Sequence, residues 1–100
     1  MGQRETVNAQ IVGTFLGYED HGIPTCQIKL TWGSCGQSFG GYDLRHYGVD
    51  MIMQIMRVVG VESWDQLKGR YCRIVQEHTK IHAIGHICEN KWYWPEGEET

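Results

Sequence analysis

The side chains best suited to metal chemistry in this sequence are its histidines and cysteines, and His82 and His86 have a suggestive spacing. Two histidines four residues apart converge on one metal ion when they lie on a helix. The residues around them alternate as in a β-strand, where four residues span about 13 Å at ~3.3 Å each. Two nitrogen ligands of one zinc ion lie only about 3–3.5 Å apart, because each zinc–nitrogen bond is ~2.0–2.1 Å long. We therefore do not expect these two histidines to share an ion.

A second candidate metal site combines Cys72, His86 and Cys88. His86 and Cys88 are two residues apart and so lie on one face of a strand, while Cys72 belongs to the preceding strand. A closed zinc site needs a fourth ligand, for which Cys26 or His21 is the nearest supply, and it usually couples metal binding to folding. No CxxC pair organises half of such a site, and strand alternation explains each of these residues without a metal. The sequence predicts no bound metal and no other cofactor.

Acid–base or nucleophilic catalysis would have to involve His21 or Cys35. His21 follows Glu19 and Asp20, and an imidazole beside a carboxylate can act as a general base. Cys35 would become a nucleophile only if a histidine reached it. The GxSxG, P-loop, HExxH and GxGxxG motifs are all absent. We therefore predict that the protein is not an enzyme, and that Glu19, Asp20 and His21 contact a binding partner.

The glycine-rich segment 33–42 is the best small-molecule candidate. It holds four glycines in ten residues, and clustered glycines let backbone N–H groups face an anion. Phe39 and Tyr42 could stack on a nucleotide base, with Gln37 as a polar neighbour. The alternative is a bulged strand whose aromatic side chains only close the core. Both interpretations stay open.

Aromatic residues are abundant, with four tryptophans and five tyrosines in 100 residues. Trp92, Tyr93 and Trp94 are adjacent, so they cannot all point inward from one extended segment. At least one is expected to be exposed, and exposed aromatic side chains mark protein interfaces. All three are candidates for partner contact.

The charge balance argues against a general nucleic-acid coat. Nine basic residues face twelve acidic ones, and three of the acids, Glu96, Glu98 and Glu99, lie in the last five residues. A nucleic-acid coat needs a cationic excess to displace counterions. A narrower alternative, the binding of single-stranded nucleic acid, remains. It would use a basic and aromatic group: Arg70, Arg73, Lys80, Lys91, Tyr71 and Trp92.

These residues must be positioned by a mixed set of strands and one helix. In segment 26–32, Cys26, Ile28, Leu30 and Trp32 alternate with polar residues, which predicts a half-buried strand that pairs with the strand before it. The predicted strands cover 6–18, 26–32, roughly 38–44, a fourth from Arg70, and 80–88. The order β-β-β-α-β-β predicts a single α+β domain, residues 1–95, with an antiparallel sheet and an acidic tail, 96–100.

The helix is predicted over 49–59. Asp50, Gln54 and Arg57 recur at helical spacing and form one polar stripe, while apolar residues cover the rest of the surface. Gly60 suits the left-handed position that ends a helix. Such a helix is expected to pack its apolar side against one face of the sheet.

The four cysteines and the N-terminal residues bear on the cellular compartment. No apolar run reaches the roughly 18 residues of a membrane span, and the polar start does not resemble a signal peptide. Reduced thiols are therefore the expectation. We predict a cytosolic protein without disulfides or a membrane partner.

Four segments of the chain resemble a group of short, uncharacterised proteins encoded by bacteriophages and prophages. The segments are YEDHGI (18–23), GQSFGGY (36–42), VVGVESW (58–64) and AIGHI (83–87). The resemblance spans about residues 8–95, and it implies a phage accessory protein in the cytoplasm of a host bacterium. By analogy, small phage proteins without catalytic signatures are often similar in type to inhibitors of host defence, such as anti-CRISPR proteins.

The leading functional expectation is thus a non-enzymatic inhibitor that binds a host defence complex. A negatively charged protein suits a partner with a basic groove. The first alternative is a nucleotide binder that uses segment 33–42, including as an oligomer that sequesters a defence messenger. The second is the single-stranded nucleic-acid binder described above.

Overall fold

The computed structural model describes residues 3–78 and 80–97. In it, three strands, a helix and two further strands follow one another in the order that the sequence predicts, and a short sixth strand comes after them. The strands form one antiparallel sheet in the order β3-β2-β1-β4-β5-β6, so the α+β class is confirmed. A short 3-10 helix, Trp64–Gln66, precedes β4. The other elements are β1 (Glu5–Tyr18), β2 (Pro24–Trp32), β3 (Cys35–Gly40), α1 (Leu44–Val59), β4 (Tyr71–Glu77), β5 (Lys80–Gly85) and β6 (Trp92–Tyr93).

The long strand β1 is shared by the two halves of the sheet. Its first half pairs with β4 over residues 5–10, and its second half pairs with β2 over residues 10–18. A β-bulge between Ile11 and Gly13 separates the halves, and bulges bend and twist a strand. The sheet curls as a result, and β3 comes close to β5, which gives a partly open barrel.

The hydrophobic core fills the inside of this curl. Cys26, Ile28 and Leu30 on β2 are buried, which confirms the alternation seen in the sequence. On β4, Cys72 and Ile74 face the same core. Buried residues of α1 cover the barrel from one side: Met51, Ile55, Met56 and Val59.

The helix begins earlier than predicted. α1 includes residues 49–59 but is preceded by a helical turn, and Gly48, with φ 73°, forms a kink between the two parts. The Asp43 carboxylate caps this turn by accepting the Arg45 backbone N–H at 2.9 Å. Gly60 ends the helix in the left-handed conformation, as the sequence predicted. The early turn escaped detection because the polar stripe begins only after Gly48.

Three predicted strand limits were wrong. The third strand begins at Cys35 rather than near residue 38, since it pairs with β2 directly after a tight turn. It ends at Gly40 rather than near residue 44, because Gly40 and Gly41 both have positive φ. The fifth strand ends at Gly85 rather than at Cys88, since the chain turns at residues 86–91 and returns as β6. Residues 98–100 of the predicted acidic tail lie outside the described residues.

Within residues 3–78 and 80–97, no helix has the length and apolar character needed to cross a bilayer. All four cysteines are free thiols. Cys26 and Cys72 are fully buried, whereas Cys35 and Cys88 are exposed.

This contrast predicts two classes of thiol reactivity. Burial raises the pKa of the Cys26 thiol to about 11 and that of Cys72 to about 12, and the thiolate is the nucleophile. With Ellman's reagent at pH 8, two thiols per folded chain should react quickly, and two at least about a hundredfold more slowly. All four should react at once in denaturant. Cys35→Ser should remove one fast thiol, and three or more fast thiols in the unmodified protein would contradict the structure.

Candidate functional site

A broad concave surface lies at the end of the β1–β2 hairpin. Its volume is about 570 Å³, and its lining joins strand and turn residues. The structure brings the predicted residues Glu19, Asp20 and His21 together with four others, namely Phe15, Tyr18, Gln27 and Lys29. The sequence interpretation missed these four, because the bulge between Ile11 and Gly13 shifts which side chains of β1 face outward.

A tight turn holds the acidic residues at the tip of the hairpin. The Glu19 backbone N–H donates to the Ile23 carbonyl at 3.0 Å, and the Gly22 N–H donates to the Glu19 carbonyl at 2.9 Å. Gly22 adopts φ 76°, which a glycine tolerates without strain. Glu19, Asp20 and His21 are consequently all exposed.

The hairpin also exposes an unusual amount of aromatic and apolar surface. Tyr18 is 74% exposed, Leu16 49% and Phe15 40%. Phe15 and Gly17 lie on the same face, and a Cβ at Gly17 would come within 3.2 Å of the Phe15 ring. The Phe15 ring therefore rests against the Gly17 backbone and is held in place without being covered.

The aromatic residues of segment 33–42 serve the core. Phe39 is only 2% exposed and belongs to the core cluster, which favours the interpretation that this ring closes the core over the one in which it stacks on a ligand. Tyr42 is half-buried against Phe39 in an edge-on contact, with ring centroids 6.4 Å apart. Burial is the main reason that the pKa of Tyr42 rises to about 12. Gln37 and Tyr42 line a smaller cavity of about 290 Å³, with Lys80 and Glu96 on its other side.

The three aromatic residues of the tail cover the sheet. Trp92 lies over Gly85, where a Cβ would come within 2.5 Å of the indole, and the Arg73 guanidinium lies 5.0 Å from the Trp92 ring centre. Trp94 packs beside Trp92 at 6.4 Å, and Tyr93 points to the opposite face and packs on the core. All three are half-buried, so the expectation that at least one would be exposed was wrong. Adjacent residues of strand β6 point to opposite faces of the sheet. On one face Trp92 packs on Gly85, and on the other Tyr93 packs on the core.

Three of the four basic residues proposed for nucleic-acid binding already have partners. Arg73 donates to the backbone carbonyls of His86 and Glu89, both at 2.8 Å. Lys80 pairs with Glu96, and Lys91 pairs with Glu89. The two carboxylates offset the charges of Lys80 and Lys91, and the carbonyl contacts hold the Arg73 guanidinium against the protein's own backbone.

The histidines of β5 and the loop after it make local contacts. His82 Nε2 lies 2.8 Å from the Glu77 carboxylate. His86 Nδ1 accepts the backbone N–H groups of Cys88 and Glu89 at 3.1 and 3.0 Å. Over the described part of the chain, no group of three or more His, Cys, Asp or Glu side chains is arranged to hold a metal ion.

The hairpin concavity is thus the site at which three of the nine predicted contact residues, Glu19, Asp20 and His21, meet exposed aromatic side chains. Its interpretation rests on its own chemistry. Compared with known proteins, the chain matches no family model, no curated protein and no solved structure.

Proposed function

We propose that this protein is a phage accessory protein that binds a component of a bacterial defence complex through the β1–β2 hairpin and inhibits it. It acts in the host cytoplasm and without catalysis. The observation that carries the proposal is the concavity at the hairpin end, which combines exposed aromatic rings with an acidic rim. The phage origin rests on the sequence resemblance described above.

Exposed aromatic rings are suited to protein recognition. Tyrosine and tryptophan dominate binding energy at interfaces, because they bury much area and lose little conformational entropy. Tyr18 is the most exposed of the large hydrophobic residues in the described chain. Phe15 is already held against Gly17, so its ordering would cost little on binding.

The charges at the rim favour a basic partner. Glu19 and Asp20 lie on the turn, and Lys29 is the one cation among the residues that line the concavity. In one group of small, partly open, five-stranded barrels, oligonucleotides bind on strands 2 and 3 and beside the loop between strands 1 and 2. In this chain that loop is acidic, which opposes a polyanion and suits a basic protein groove.

The nucleotide alternative has less support. It retains Gln37 and Tyr42 beside the smaller cavity, but it loses Phe39 to the core. Lys80, the cation of that cavity, is paired with Glu96. A phosphate group would have to displace this carboxylate.

The test is a plaque assay in bacteria that carry an active defence system. Expression of the protein should restore plating of a targeted phage, and the double variant Phe15→Ala, Tyr18→Ala should lower that rescue by about tenfold or more, since each anchor contributes ~1–2 kcal/mol. The same variant should lose a host protein that the intact chain captures from lysate.

Tyr71→Ala is the matched control, because Tyr71 is also an exposed tyrosine, at 59%, but lies on β4 away from the hairpin. It should retain both rescue and capture. Equal behaviour of the two variants, or no rescue by the intact protein in any defence background, would contradict the proposal.

A further inference from the structure

We infer that two copies of this chain pair through the open edge of β1, antiparallel and about a two-fold axis, so that their sheets join. The open edge is defined as residues 13–18. This inference goes beyond the proposed function, because it concerns pairing along the edge of the hairpin rather than binding of a host component in the hairpin concavity.

The edge is open because β4 covers only the first half of β1. The β1–β4 pairing runs from Glu5 to Gln10 and ends where Ile11 exchanges backbone hydrogen bonds with Arg70 and Gly69, at 2.8 and 2.7 Å. Residues 13–18 pair with β2 on their other side. Among the residues that the structure describes, no strand pairs with the open edge.

The open edge lacks the usual protection against pairing. Proteins shield such edges with charged residues, prolines or bulges, because unpaired N–H and C=O groups template another strand. Residues 13–18 read Gly-Thr-Phe-Leu-Gly-Tyr and contain neither a charge nor a proline. The bulge lies at one end only, before Gly13. Leu16 and Tyr18 add exposed apolar surface.

The two ends of the open edge carry opposite charges, which favours a second copy as the occupant. Glu19 and Asp20 follow the edge at the tip, and Lys68 and Arg70 lie at its other end, beside Ile11. All four are exposed, and none forms an ion pair within the described ranges 3–78 and 80–97. An antiparallel two-fold arrangement sets the acidic end of one copy against the basic end of the other, twice.

A seam of one strand pair is small. Stable interfaces bury about 1,200 Å² or more, so a dissociation constant on the order of 10–100 µM is expected. Pairing in the plane of the sheet leaves Phe15 and Lys29 of the hairpin concavity uncovered. The dimer would then present two candidate binding surfaces side by side.

Sedimentation velocity from about 5 to 500 µM tests the inference. The unmodified chain should form dimers that weaken with salt. The variant Lys68→Glu, Arg70→Glu and the variant Glu19→Lys, Asp20→Lys should each raise the dissociation constant by about tenfold or more, because like charges then meet.

An equimolar mixture of the two variants provides the decisive result. In the mixed pair each acidic end meets a basic end again, so the mixture should dimerise about as well as the unmodified chain. Circular dichroism and melting temperature confirm that each variant folds. A monomeric chain at about 500 µM, or a mixture that stays monomeric, would overturn the inference. Tyr18, Glu19 and Asp20 belong to both surfaces, but sedimentation measures self-association without any host component and the plaque assay measures rescue, so either proposal can fail without the other.

Discussion

Replacing Gly40 with alanine is expected to lower the melting temperature by about 10–30 °C, which corresponds to about 2–4 kcal/mol in a domain of this size. Gly40 has φ 124°, a conformation that strains any residue with a Cβ. A Cβ there would also overlap the Cys26 carbonyl oxygen and lie 3.0 Å from the Gln27 Cα. Both neighbours are backbone atoms of β2, so the clash can be relieved only by moving the strand. Thermal unfolding followed by circular dichroism measures the effect.

Gly36→Ala is the matched control for this prediction. Gly36 lies on the same strand, and a Cβ there would be 3.7 Å from the nearest atom, an ordinary contact. Its stability should stay within about 0.5 kcal/mol of the unmodified protein. If the Gly40→Ala and Gly36→Ala proteins have the same melting temperature, the close contact between Gly40 and the backbone of β2 is contradicted.

Replacing Phe39 with alanine should cost about 3–5 kcal/mol of unfolding free energy, measured by urea denaturation. The side chain is among the largest that are fully buried, and its removal leaves a cavity in the core. The loss should not depend on added nucleotides, because the ring supports the core rather than a ligand.

Phe15→Ala applies the same truncation to an exposed ring. At 40% exposure on the hairpin, it should cost no more than about 1 kcal/mol. A Phe39→Ala protein of nearly unchanged stability, with a nucleotide-dependent shift in the unmodified chain, would return segment 33–42 to the role of a ligand loop.

The parts of the fold that the sequence predicted well are those with strong local periodicity. The alternation from Cys26 to Leu30 and the polar stripe of Asp50, Gln54 and Arg57 each reflect one buried face. Burial against a single core imposes one period on the residues, so the pattern can be seen without knowing the partners.

What could not be predicted depends on contacts distant in sequence. The bulge after Ile11 shifts the alternation of β1 by one residue, so Phe15 faces outward and Ile11 inward. Strand β6 has two residues and gains its identity only from pairing with β5. The turn residues of the hairpin concavity, such as Glu19, were predicted as contact residues from the sequence. Its strand residues, such as Phe15, were not, because their orientation depends on this shifted register.

The shared strand β1 also sets an order of assembly. Its pairing with β2 closes a turn of a few residues, whereas its pairing with β4 joins Glu5 to Gln76, which are 71 positions apart. Closing the longer loop costs about 2 kcal/mol more in chain entropy if the intervening chain is still unfolded. The β1–β2 hairpin should therefore form early, and the edge of β1 stays unpaired until β4 forms. Refolding chains are most prone to associate during this interval.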